Sequence, residues 1–323
     1  MRARWKWLLS LAAVAALAAG AWWWWQPSPR SERRFDRGLN GLWVGHQWYT
    51  GRRVRGGALL GPGERQAFVG SLKRHHIKWV FVHAGPILDD GTIADAPGNF
   101  SAQLRRDTPE IEWIPWLGGD TRKLHLADAS WRARVVATVT QLRDAGFRGV
   151  HLDLEPVDDH EPGYLELFDE LRAAEGSEFL LSHATRRAGP FGLAAGPMGK
   201  WFWSEAFYKQ AMSRTDQTVL MAYDTSINMQ KTYIGFVSHE TALLLDWACA
   251  MARHRVLIGI PSYEDVPRLS NPKVENIANA SLGVRAALEQ KSERLKCFDG
   301  VAVYADWVTD EDEWAAYEKT WAQ

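Results

Sequence analysis

GFRGVHLDLEPVDDH, residues 146–160, carries His151, Asp153 and Glu155 at alternate positions, with Val150, Leu152 and Leu154 between them. In a β-strand, side chains alternate faces, so the polar set points one way and the aliphatic set the other. Two carboxylates buried side by side cost several kcal/mol unless they are paired, hydrogen-bonded or put to use. A salt-bridge network with Arg148 or His151 is the structural way to meet that cost; chemistry at Glu155 is the functional way. Pro156 ends the strand, because it cannot donate a ladder hydrogen bond.

The neighbouring sequence decides what kind of sheet receives this strand. Comparable runs occur at 41–49, 77–85, 111–119, 178–184, 217–224, 255–263 and 298–307, and amphipathic segments separate most of them. In ASWRARVVATVTQLRDAG, Trp131, Val135, Val139 and Leu142 share a helical face, and Gly146 is placed to cap it. EPGYLELFDELRAA, SHETALLLDWACAMARH and NASLGVRAALEQKSERL follow the same pattern. Strand and helix alternating about eight times predict a single (β/α)8 barrel, an α/β fold, over residues 38–323. A doubly wound open sheet is the alternative, but GHQWYTGRRVRGG after the first strand lacks the glycine spacing of a dinucleotide loop. In a barrel, Val150, Leu152 and Leu154 meet the helices, and Glu155 reaches the C-terminal rim, where such folds keep their chemistry.

The N-terminal residues read differently. Basic MRARWKW, apolar LLSLAAVAALAAGA and then WWWWQPSPRSERR make residues 1–25 a cleaved signal peptide, with Ala19-Gly20-Ala21 as the site, or an anchor over 8–25 with Trp22–Trp25 at the interface. Either places the barrel outside the cytoplasmic membrane, in the periplasm or cell envelope, with 26–37 as a polar linker. In an oxidising compartment Cys249 and Cys297 can pair, though the sequence equally allows two free, buried thiols. A formal net charge of −1 and no long basic run exclude nucleic acid as the expected partner. The 18 tryptophans supply faces that stack on sugars and also fill cores. No feature specifies an oligomeric state.

Other strand ends add residues to the same rim. MAYD places Tyr223 and Asp224 there, WLGGD brings Gly118 and Gly119, and Trp307 closes the last strand. Taken together, these motifs resemble glycoside hydrolase family 18, the chitinase-like barrels. The family's fourth-strand signature D-G-x-D-x-D-x-E corresponds to Arg148-Gly149-Val150-His151-Leu152-Asp153-Leu154-Glu155. Its M-x-Y-D is intact as Met221-Ala222-Tyr223-Asp224, and its S-x-G-G corresponds to Trp116-Leu117-Gly118-Gly119. GIPSY after the seventh strand and a Trp after the eighth fit as well.

The resemblance implies a retaining glycosidase acting on an N-acetylhexosamine-containing polysaccharide or oligosaccharide, without metal or cofactor. Glu155 is the implied general acid and base, and the substrate's own 2-acetamido oxygen is the nucleophile, an exception to the two-carboxylate scheme. Asp153 accepts the acetamido N–H, Tyr223 bonds the acetamido oxygen, Asp224 holds the distorted sugar, and Trp307 lies beneath it. Two positions depart from the pattern. Arg148 replaces the outermost Asp and His151 the inner one, so the pH dependence is expected to reflect His151.

Weaker signals cluster around this reading. His46 and Trp48 alternate along the first strand, His83 lies on the second, and Glu264 and Asp265 follow the seventh, all near the proposed cleft. Trp201 and Trp203 suit either a sugar groove or a helix contact. Asp158, Asp159, His160 and Glu161 read as a solvated helix start rather than a metal site, and His75 and His76 as a charged helix C-terminus. Two rivals remain: a sugar-binding barrel without turnover, and a glycosidase or transglycosidase on a sugar lacking the acetamido group, with Asp224 as nucleophile.

Overall fold

All eight expected strands form, and they close on themselves in sequence order, each parallel to its neighbours. They are β1 (Asn40–Val44), β2 (Ile77–Pro86), β3 (Glu112–Asp120), β4 (Gly149–Glu155), β5 (Leu180–Thr185), β6 (Gln217–Met221), β7 (Arg255–Pro261) and β8 (Phe298–Tyr304). The helices between and after them are α1 (Pro62–Arg74), α2 (Asn99–Asp107), α3 (Ala129–Asp144), α4 (Pro162–Glu175), α5 (Glu205–Met212), α6 (Gln230–Ala248), α7 (Ile277–Gln290) and α8 (Glu311–Thr320). This computed structural model describes residues 12–14, 16–17, 29–97, 99–189, 192–194, 199–263 and 271–322.

Two apolar compartments result from the strand alternation. Val150, Leu152 and Leu154 face outward and join Trp131, Val135, Val139 and Leu142 of α3 in the layer between sheet and helices. Trp43, Phe81, Ile114, Val219, Leu257 and Ala302 face inward and fill the barrel, which is therefore a packed core and not a pore. Gly259 on β7 makes room at the top of that core. A Cβ there would lie 2.8 Å from the Leu220 carbonyl and 3.1 Å from the Tyr223 ring.

Several expectations need correction. The first strand stops at Val44, and residues 47–50 form one helical turn closed by Gly51 at φ 76°. The described part of the expected linker, residues 29–37, is docked on the barrel. Phe35 is buried there, Arg37 bonds the carbonyls of Leu295 and Phe298, and Glu289 accepts the Arg30 and Ser31 N–H groups. Cys249 and Cys297 form a disulfide, with Cα atoms 5.5 Å apart. His75 is not a charged cap: burial lowers its pKa, and its ring stacks on Trp314 at 3.9 Å. Most of residues 8–25, the expected signal or anchor, lie outside the described residues, and among the described residues no helix is long and apolar enough to cross a membrane.

Candidate active site

The pairing of β4 with β3 sets the centre of the site. Trp116 lies opposite His151, Gly118 opposite Asp153 and Asp120 opposite Glu155. Asp153 is half-buried, and its Oδ2 accepts the Trp116 indole N–H at 2.9 Å. Its Oδ1 is buried with no hydrogen-bond partner. Glu155 stands at the rim. The Thr121 N–H fixes its backbone carbonyl at 3.0 Å, but among the described residues its carboxylate has no hydrogen bond or ion pair. Asp120 does not compete for it, being held by Arg122 at 2.8 Å.

Both acids have raised pKa values. Burial pushes Asp153 up to about 7, the charge of Glu155 adds to this, and the Trp116 hydrogen bond opposes it. Glu155 is raised first by desolvation and then by Asp224, while Arg186 pulls it down. By accessible area Glu155 is an exposed residue. The two observations are compatible, because a side chain on the wall of a cleft can touch water at its tip while protein crowds the rest. The pair cannot easily lose both protons, which is the condition for one acid to remain a proton donor near neutral pH.

His151 does not line the cleft. It is fully buried one layer below Asp153, stacked on Phe81 at 4.2 Å, with Nδ1 2.8 Å from Ser182 Oγ. The Ser182 hydroxyl in turn donates to Gln217 Oε1 at 2.8 Å. Burial lowers the His151 pKa to about 3, so the ring is neutral over the working range and makes no hydrogen bond to Asp153. The expectation that it binds substrate is corrected, because the ring is buried beneath the cleft.

Beyond β6, Tyr223 is buried against Tyr304, Trp43 and Tyr263, and its hydroxyl is held well above the usual range by that burial. Asp224 is exposed in a left-handed turn (φ 53°), and its Oδ1 accepts the Tyr263 hydroxyl at 2.8 Å. Trp307 is 49% exposed and lies parallel to Trp116, with ring centroids 6.3 Å apart. Of the two glycines, Gly118 faces Trp116 Nε1, which a Cβ there would approach to 3.7 Å. Gly119 faces the other way. A Cβ on it would strike Leu124 at 2.6 Å, so its smallness serves packing and not a ligand. Trp48 is also removed from the cleft: it is buried, stacked on Phe68 at 3.7 Å, and its indole N–H bonds Asp306 at 2.6 Å. Glu264 and Asp265 lie outside the described residues.

The remaining rim residues sort by their contacts. His83 is half-buried beside Trp116, with ring centroids 4.8 Å apart, and burial lowers it to about 4. His46 is held by Asp95 and by the His83 carbonyl. Trp203 is a core residue whose indole N–H bonds the Val157 carbonyl at 2.9 Å, whereas Trp201 is 65% exposed. Asp159 holds the start of α5 through Ser204, and Glu161 caps α4. A cavity of about 320 Å³ opens beyond Tyr263, lined by Pro272, Lys273 and Glu313 among others, and none of the acids above lines it. Trp116, Tyr304 and Tyr263 were missed as site residues. For Trp116 the signal was available: counting back two from Gly118 on an alternating strand gives an inward side chain.

Comparison with known proteins supports the fold. No protein-family model matches the sequence, and no curated protein sequence matches it. Solved structures do match. A family GH18 chitinase from Chromobacterium violaceum has a TM-score of 0.59 at 13% identity, covering 90% of this chain and 84% of that one. The spore cortex-lytic enzyme SleL of Bacillus cereus has a TM-score of 0.56 at 12% identity, covering 87% and 74%. SleL of Bacillus megaterium QM B1551 has the same TM-score at 14% identity, covering 90% and 75%. The chain has the barrel of these proteins.

Proposed function

We propose that this chain is a retaining glycoside hydrolase acting on an N-acetylhexosamine-containing glycan. The observation that carries the reading is the pair at the end of β4. Among the described residues Glu155 has no partner at the rim, its pKa is raised, and immediately below it the Asp153 carboxylate is held by Trp116 and keeps one oxygen unbonded. The likeness to chitinase and SleL barrels supports a glycan as substrate.

In the proposed reaction Glu155 protonates the glycosidic oxygen as the C1–O bond breaks. The 2-acetamido oxygen of the same sugar attacks C1 from the opposite face, giving a cyclic oxazolinium ion. Asp153 accepts the acetamido N–H through its free oxygen and stabilises the positive charge, an electrostatic contribution that gains strength in a water-poor site. The now anionic Glu155 takes a proton from water, which opens the ring at C1 with net retention. An internal nucleophile held in place has a high effective molarity, which is why no enzyme nucleophile is needed. Tyr223 bonds the acetamido oxygen, Asp224 positions the sugar, and Trp307 offers an exposed indole face beneath it.

Chitin oligosaccharides and peptide-free peptidoglycan strands, incubated with the wild type and Glu155→Gln and read by mass, test the reading. Loss of about 10²–10⁴-fold in the variant is expected from removing a general acid. Turnover that persists would refute the assignment. Indifference to a thiazoline analogue of the oxazolinium ion would refute substrate assistance alone. We further propose that the protein is exported and that residues 8–25 direct it; the Cys249–Cys297 disulfide is consistent with an oxidising compartment.

A further inference from the structure

Two arginines follow β5 on the side of β4 away from Trp116 and Trp307. Both Arg186 and Arg187 are half-buried. Burial of a guanidinium often brings a carboxylate partner, as for Arg132 with Glu166 and Glu170, Arg172 with Asp216 and Arg214 with Asp169, whereas half-buried Arg105 rests on the Ala145 carbonyl and the Phe147 ring. Arg186 and Arg187 have none within ion-pair distance among the described residues. Among the described residues Arg186 donates to the carbonyls of Val157 and Lys200, through one nitrogen. Arg187 donates to the carbonyls of Thr225 and Asp224 at 3.3 and 3.4 Å. Carbonyls fix the direction of a guanidinium without neutralising it. The nearby acids do not complete the pairing. Glu155 and Asp158 act on Arg186 only at longer range, and Glu240, which feels the charge of Arg187, accepts the Ala188 N–H and is pushed up to about 8 by burial. The exposed Trp201 and the half-buried Phe202, whose ring is 5.9 Å from the Arg187 guanidinium, supply apolar surface beside the charges.

We propose that Arg186 and Arg187 form a subsite for a carboxylate carried by the sugar on the leaving-group side of the scissile bond, so that the preferred substrate is an acidic glycan. This rests on the glycosidase reading above. Glu155 marks the cleavage point, Trp307 marks the side of the sugar that is attacked, and the two arginines lie on the opposite side. A guanidinium pair matches a carboxylate in shape as well as charge.

The test uses a peptide-free strand of alternating N-acetylglucosamine and N-acetylmuramic acid, and the same strand with its lactyl carboxylates reduced to alcohols. An oligosaccharide alternating N-acetylhexosamine with hexuronate distinguishes a ring carboxylate from a lactyl one. Wild type should favour the acidic strand over the reduced one by at least about tenfold in kcat/KM at low salt, the effect of one charge-assisted contact. That ratio should fall towards one in Arg187→Gln and in Arg186→Gln, and recover in part in Arg187→Lys. A ratio near one in wild type, or a ratio that neither substitution moves, overturns the proposal. Affinity is measured separately by titrating the strands into Glu155→Gln. Charge-selective binding without wild-type cleavage would refute the hydrolase and keep the subsite. Equal cleavage of both strands would refute the subsite and keep the hydrolase. Failure to bind the acidic strands refutes the subsite.

Discussion

On the proposed reaction, replacing Trp116 with phenylalanine should remove most of the turnover while leaving the aromatic surface of the cleft in place. Asp153 and Glu155 raise each other's proton affinity, and in the proposed reaction the productive arrangement has the proton on Glu155, ready for the leaving oxygen. Burial and the charge of Glu155 raise Asp153, the deeper of the two, and with the Trp116 hydrogen bond opposing them its pKa stands at about 7. Among the described residues, the Trp116 indole N–H, 2.9 Å from Asp153 Oδ2, is the one contact that favours the anionic form of Asp153. A hydrogen bond to a charged group contributes about 1.5–3 kcal/mol. Its loss therefore moves the proton toward Asp153 and reduces the productive form by about 10–100-fold, since 1.4 kcal/mol is a factor of ten. The assay is kcat and KM across pH on an oligosaccharide that the wild type cleaves. The expected result is a fall in kcat of that size, with the bell shifted to higher pH because both steps of the pair lose the stabilised anion. Phenylalanine retains an aromatic face against Trp307 and Tyr304, so KM should change less than kcat, and a thermal melt guards against misfolding. An unmoved profile, or a loss expressed wholly in KM, would refute the argument that Trp116 places the proton.

Tyr263→Phe should release Asp224, because the lost hydroxyl donates to its carboxylate at 2.8 Å. A fall of about tenfold in kcat is expected, and the double variant with Asp224→Asn should lose little more than Asp224→Asn alone; additive losses would separate the two residues. Thermal stability should peak in mildly acidic solution. His151 and His254, held at about 3 and about 4, bind fewer protons folded than unfolded, so stability falls as pH drops below their ordinary 6.5. Glu240, held at about 8, binds more protons folded than unfolded, so stability also falls as pH rises from its ordinary 4.5 through 8. Melts over about pH 4–9 should show both slopes, and Glu240→Gln should flatten only the alkaline one; an unchanged alkaline slope refutes that assignment. Reducing the Cys249–Cys297 bond, which joins residues 48 apart in sequence, should cost about 2–4 kcal/mol of stability. Denaturant titrations with and without reductant check it, and coincident curves would refute it.

The legible parts of this chain are those governed by one short-range rule. Alternation put Val150, Leu152 and Leu154 against the helices and Asp153 and Glu155 on the inner face, and the structure agrees at every one of these positions. The same rule failed where a residue's environment is supplied from far away in sequence. GHQWY alternates like a strand, yet Trp48 is drawn into a helical turn by Phe68 and by Asp306, which is 258 residues distant. His151 obeys the alternation, but depth along a strand is invisible in a period of two. One layer lower, the same inward direction means burial on Phe81 instead of contact with a ligand. Depth also explains why the substitution of His for the resemblance's inner Asp is tolerable here. A neutral imidazole, bonded to Ser182 through Nδ1, replaces an acid that would otherwise add a third carboxylate to the column of Asp153 and Glu155. The task of placing the proton then falls on a neighbouring strand, and Trp116 is the residue in position to do it. His151→Asp should therefore not restore a better enzyme. It would bury a carboxylate between Phe81 and Trp43, raise the pKa values of Asp153 and Glu155 further, and lower stability, and a His151→Asp variant with a higher Tm and an unshifted pH–rate profile would contradict this account.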